Sequence, residues 1–142
     1  MRSLGFTTMK SRHMMCDMNP RRFLFIASVV LITIGFLGLI GVLGSISPAS
    51  FFNPPYWISW VHLCLGMIVL NVALKGNRLF QAKFVMFPMI IGITIGVLGL
   101  VFGRYLADRY GLPELADPSD HMAHLIVGML AAWAWMSRAK AS

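Results

Sequence analysis

The chain has 142 residues, enough for one domain, with 58% apolar and only 12% charged residues. Soluble domains carry about 45–50% and about 25%, so this composition suits a chain whose solvent is largely lipid. The net charge of +7 does not indicate nucleic acid, because the basic residues flank apolar runs and form no single patch. The two cysteines, Cys16 and Cys64, fall at different depths and lack a CxxC spacing, which excludes a disulfide framework or a zinc site between them.

Residues 1–19 have no periodicity and read as a flexible cytoplasmic segment. Met18 is an alternative start to Met1, and His13-Met14-Met15-Cys16 is a weak soft-metal pattern within the segment. The first apolar run, 23–44, is interrupted by no charge. At 1.5 Å per residue it reaches roughly 33 Å, against a hydrocarbon core of about 30 Å. The second expected span covers 54–74 and the third 84–103. The fourth, 118–138, is apolar only from Met122, but Asp117 then Pro118 reads as a helix cap with proline at the first position. Asn53 then Pro54 gives the second span the same start.

Four spans put ten of the twelve Lys and Arg residues on one side: Arg2, Lys10, Arg12, Arg21, Arg22, Lys75, Arg78, Lys83, Arg138 and Lys140. Arg104 and Arg109 fall on the other side with Asp108, Glu114, Asp117 and Asp120. Basic residues accumulate on the cytoplasmic face, so both termini are expected there, in a cell inner (plasma) membrane. Tyr56, Trp57 and Trp60 would form the outer aromatic belt, and Trp133 and Trp135 the inner one.

An internal repeat organises these spans. Residues 32–39 (ITIGFLGL) recur as 93–100 (ITIGVLGL), and the His62-Leu63-x-x-Gly66-Met67 pattern recurs as His124-Leu125-x-x-Gly128-Met129. The expected fold is all-α: a four-helix transmembrane bundle of two tandem hairpins, over 20–75 and 76–138 with its linker. Both copies would enter the membrane in the same direction, with spans two and four facing each other across the core. Gly35, Gly38, Gly41 and Gly44 in the first span and Gly92, Gly96, Gly99 and Gly103 in the third would permit close backbone approach, as would Gly66 and Gly128. The same glycines would also serve a dimer face.

His62 and His124 are the polar residues of greatest interest, since ionisable groups inside a membrane are costly. One reading makes each a packing lock on a facing glycine, Gly38 or Gly99. A second makes them axial ligands of a haem or other tetrapyrrole, with Gly66 and Gly128 leaving room for the ring. A third places zinc or copper on His121, His124 and Asp120. No hydrolase, P-loop or dinucleotide fingerprint is present, and the spans are expected to bury no Asp, Glu, Lys or Arg that could bind an ion or relay a proton.

The pattern of Met18-Asn19-Pro20-Arg21-Arg22, the Gly-rich first span and the His-Leu-x-x-Gly stretches at His62 and His124 resembles a family of small four-span bacterial membrane proteins classed as a domain of unknown function. The resemblance covers residues 18–138 and implies a four-span bundle but no reaction, cofactor or site. The leading expectation is a non-enzymatic structural or accessory membrane subunit, as a homodimer or within a larger complex, with the bilayer and not nucleic acid as its partner. The alternatives are a bis-histidine tetrapyrrole protein and a small metal- or solute-handling module.

Overall fold

A computed structural model describes residues 19–42, 56–111 and 118–139. Among them are four α-helices: α1 (Pro20–Leu39), α2 (Tyr56–Lys75), α3 (Arg78–Tyr110) and α4 (Pro118–Ala139). The first three are long and apolar enough to cross a membrane, by length and composition. The polar first turns of α4, with Ser119, Asp120, His121 and His124, keep it out of that group. Asn53, Pro54, Gly44, Asp117 and the His13–Cys16 cluster lie outside the described residues.

Side-chain caps set several helix ends. Asn19 precedes Pro20, and its Oδ1 accepts the Arg22 N–H at 2.9 Å, so α1 starts before the expected Phe23. The helix also stops sooner than expected. It ends at Leu39, and Gly41 then turns the chain with φ +73°, a left-handed conformation that glycine adopts without penalty. Gly41 therefore ends the helix, and an added Cβ there would meet no described residue within 4 Å. Helix α3 outruns the expected 84–103 at both ends. Asn77 Oδ1 caps it by accepting the Phe80 N–H at 2.8 Å, and Gly111 closes it with φ +66°. Its 33 residues span roughly 50 Å, more than a hydrocarbon core requires.

The most extensive contacts are α1 with α2 and α3 with α4, giving two antiparallel hairpins. The hairpins meet mainly through α1, which touches α3 and α4, with a lesser contact between α2 and α3. Helices α2 and α4 have no substantial contact with each other, so the expectation that they face one another across the core is corrected. The close diagonal is α1 with α3. The shared core lies at the basic end, where Phe23 and Leu24 of α1 meet Val69 and Ala73 of α2, Val85 of α3, and Ala131 and Ala134 of α4.

Glycines mark the closest approaches within each hairpin. A Cβ on Gly35 would lie 2.6 Å from Leu63 N and 2.8 Å from Ser59 O. One on Gly96 would lie 2.8 Å from Leu125 N and 2.9 Å from His121 O. From the other direction, a Cβ on Gly66 would lie 2.9 Å from Ile32 N and one on Gly128 2.6 Å from Ile93 N. At each of the four a backbone atom of the facing helix stands in the way, and it cannot yield as a side chain can. In lipid such contact supplies dispersion energy where no hydrophobic driving force operates between helices.

The joint between hairpins is held by Gln81, which is 4% exposed. Its Nε2 donates to Val72 O at 3.2 Å and to Ala73 O at 2.9 Å, covering two carbonyls at the end of α2. Gly76 N–H donates to Val72 O at 2.9 Å in the same turn. Replacing Gln81 with Leu is expected to cost about 1–3 kcal/mol, because it leaves these carbonyls without their side-chain donor. Unfolding in mixed micelles measures this, and a wild-type midpoint for the variant would refute the clamp.

Candidate functional site

The polar residues singled out in the sequence occupy the end of the molecule opposite the shared core, on α2 and α4. His62 and His124 take equivalent local positions. His62 Nδ1 donates to Ile58 O at 2.9 Å, and His124 Nδ1 donates to Asp120 O at 2.8 Å, each four residues back on its own helix. A carbonyl can only accept, so Nδ1 carries the proton and Nε2 bears the lone pair in the neutral ring. Both rings are half-buried. The expected lock on Gly38 and Gly99 is corrected in one respect: the hydrogen-bond partner of each ring is its own helix, not a facing glycine.

The ring that meets Gly99 is that of His121. It occupies the volume a Cβ on Gly99 would take, and His121 is 4% exposed. His121 therefore sits between α3 and α4. His124, one turn on, has a side chain 31% exposed. The Asp120 carboxylate is 51% exposed and its Oδ1 stands 3.6 Å from His124 Nδ1, beyond hydrogen-bond range. No group of three or more His, Cys, Asp or Glu suited to a metal ion occurs among the described residues. The structure thus does not gather His121, His124 and Asp120 around one point.

The glycines assigned to a flat ring are also committed elsewhere. Gly66 and Gly128 lie against α1 and α3, at Ile32 and Ile93. Helices α2 and α4, which carry His62 and His124, make no substantial contact with each other.

Other polar side chains in the helices turn to their own backbone. Ser28 Oγ donates to Phe25 O at 2.7 Å, Thr33 Oγ1 to Val29 O at 2.8 Å and Ser137 Oγ to Trp133 O at 2.9 Å. The Ser59 hydroxyl is an exception: it is buried without a hydrogen-bond partner. Cys64 is a free, exposed thiol on α2. Tyr56 and Trp60 pack edge to face with centroids 6.4 Å apart. Tyr56, Trp57 and Trp60 are all exposed, as an interfacial belt requires.

Two features escaped the sequence reading. Gln81 carried no signal beyond being a lone amide at the edge of an apolar run. The other is a groove of about 420 Å³ lined by Gly99, Leu100, Arg104, Pro118 and His121. A pointer to it existed in the repeat, where His121 and Arg104 align with Ser59 and Leu43 of the first hairpin. No family model, curated protein or solved structure matches the chain.

Proposed function

We propose that this chain is a multi-pass protein of a cell inner membrane, built from two copies of one helical hairpin, and that it serves as a non-enzymatic structural or accessory subunit. The carrying observation is that five polar side chains within the helices are spent on their own backbone. His62, His124, Ser28, Thr33 and Ser137 each donate to a carbonyl three or four residues back. Such bonds satisfy polar side chains in a medium without water and leave helix faces to pack on lipid or on other helices. The outer faces are apolar over most of their length, from Phe25 and Ile26 on α1 to Met129 and Trp133 on α4.

The duplication is supported by paired contacts. Gly35 on Leu63 matches Gly96 on Leu125, Gly66 on Ile32 matches Gly128 on Ile93, and His62 to Ile58 matches His124 to Asp120. In each match the residues sit 61 or 62 positions apart, as in the sequence repeat. The resemblance to the four-span family of unknown function accords with this reading and adds no reaction to it. A second copy of the chain, packed through the exposed faces, and a larger membrane complex are both consistent partners.

One observation favours a second reading. With Nδ1 donating to a carbonyl, Nε2 of each histidine is set as a ligand, the arrangement common to metal-binding histidines. A tetrapyrrole reading would use these two Nε2 atoms as the axial ligands of its metal. The absorption spectrum of protein purified from its native membrane in mild detergent decides between these readings. The accessory reading expects only the tryptophan and tyrosine band, with a second protein in fixed ratio or a homodimer mass. A visible band that vanishes in His62→Ala and His124→Ala would replace it with cofactor binding.

A further inference from the structure

A groove of about 470 Å³ runs between the first turn of α1 and the last turn of α2, lined by Asn19, Arg21, Arg22, Phe25, Ile26 and Leu74. Its chemistry changes with depth. Arg21 and Arg22 form an exposed cationic rim. Phe25 and Ile26 follow four residues on, roughly 6 Å further along the axis, and with Leu74 of α2 make exposed apolar walls. A soluble anion would use only the rim, and an uncharged lipid only the walls. A molecule with an anionic head and an acyl chain matches both.

The rim is built on a rigid base. Asn19 caps the first turn through the Arg22 N–H, and Phe23 and Leu24, on the other face of that turn, are buried in the shared core. Among the described residues the charges at this end have one sign. Lys75, Arg78 and Lys83 are exposed at the same end, and the acids among the described residues, Asp108 and Asp120, sit at the other. Guanidinium groups bind phosphate oxygens in bidentate fashion, which suits a phosphodiester better than ammonium groups do. Basic pockets between membrane helices hold anionic head groups by these same terms.

We infer that this groove holds one anionic phospholipid of the leaflet on the basic side, its phosphate on Arg21 and Arg22 and a chain along Phe25, Ile26 and Leu74. The inference rests on the membrane reading above. The test is native mass spectrometry of the full chain from mild detergent, with phosphatidylglycerol and phosphatidylcholine of matched chains. One phosphatidylglycerol should survive at energies that strip phosphatidylcholine. The Arg21→Ala/Arg22→Ala variant should lose retention by roughly tenfold or more. Arg78→Ala/Lys83→Ala, with the same charge change at the same end, should lose little. Leu74→Trp, which fills the wall and leaves every charge, should lose retention too, and it reads the groove even where the double arginine variant fails to fold. Equal loss in the Arg78/Lys83 variant would overturn the groove in favour of a diffuse field. Displacement by free glycerol phosphate would overturn the lipid in favour of a soluble anion. Alkaline carbonate washing of native membranes separates the two failures. Release of the wild type sinks the membrane reading itself, whereas retention in membranes without a bound lipid sinks only the groove.

Discussion

Gly35→Leu and Gly96→Leu are each expected to open a hairpin and to cost about 3 kcal/mol or more of stability. Overpacking is usually softened because a neighbouring side chain moves. Here the atoms in the way include Leu63 N and Ser59 O for Gly35, and Leu125 N and His121 O for Gly96, all of them backbone. The helices themselves must separate, and dispersion contacts along the whole interface weaken together. The same logic applies to Gly66 and Gly128, which meet Ile32 N and Ile93 N from the opposite helix. Gly41→Ala is the control. It meets no described neighbour and pays for the left-handed φ of +73°, about 1–2 kcal/mol. Unfolding of the purified protein in mixed micelles of rising sodium dodecyl sulfate gives the ranking. Matching losses at Gly35 and Gly96 would also tie the two hairpins together energetically. Leucine variants that unfold no earlier than Gly41→Ala would show that the helices do not meet on these glycines.

What the sequence made legible was local, and what it concealed was relative phase. Helices in the regions of the four expected spans could be read from uninterrupted apolar runs, and the glycine spacing pointed to the faces that pack. The α1 start before Phe23 is written in Asn19-Pro20, a cap followed by the charged Arg21-Arg22 turn that lies outside the apolar run. The stop at Leu39 was hidden because Gly41 fits a packing stripe and a helix terminator equally well. The histidines show the larger limit. Residues one apart on a helix differ by about 100° in direction, and nothing in one sequence fixes how a neighbouring helix is rotated. His121 and not His124 thus meets Gly99. The choice of diagonal has the same origin. A repeat of two hairpins is compatible with either α1 and α3 or α2 and α4 at the centre, and the glycine-rich α1 and α3 take it.

The fate of α4 has an all-or-none readout. Its polar first turns separate it from the three helices that qualify as spans by composition. Yet its acid and its histidines sit at one end: Asp120 lies in the first turn, where the helix dipole favours a negative charge. His121 packs against Gly99, and the His124 Nδ1–H is taken by a carbonyl. Helix α4 also lies along α3 in the same extensive contact that α2 makes with α1, and α2 does qualify as a span. A 22-residue helix reaches roughly 33 Å, sufficient to cross. Crossing also returns Arg138 and Lys140 to the side of Arg21, Lys75 and Lys83, whereas a chain of three spans leaves them beside Asp108 and Glu114, against the usual charge bias. In a background with Cys16 and Cys64 replaced by serine, thiols introduced as Glu114→Cys and Ser142→Cys are expected to react with a membrane-impermeant maleimide from opposite sides. Labelling of both from the same side would reduce the chain to three spans. The pairing of α3 with α4 would then be a helix folded back along its neighbour at the membrane surface, and the two hairpins would no longer be equivalent in the bilayer.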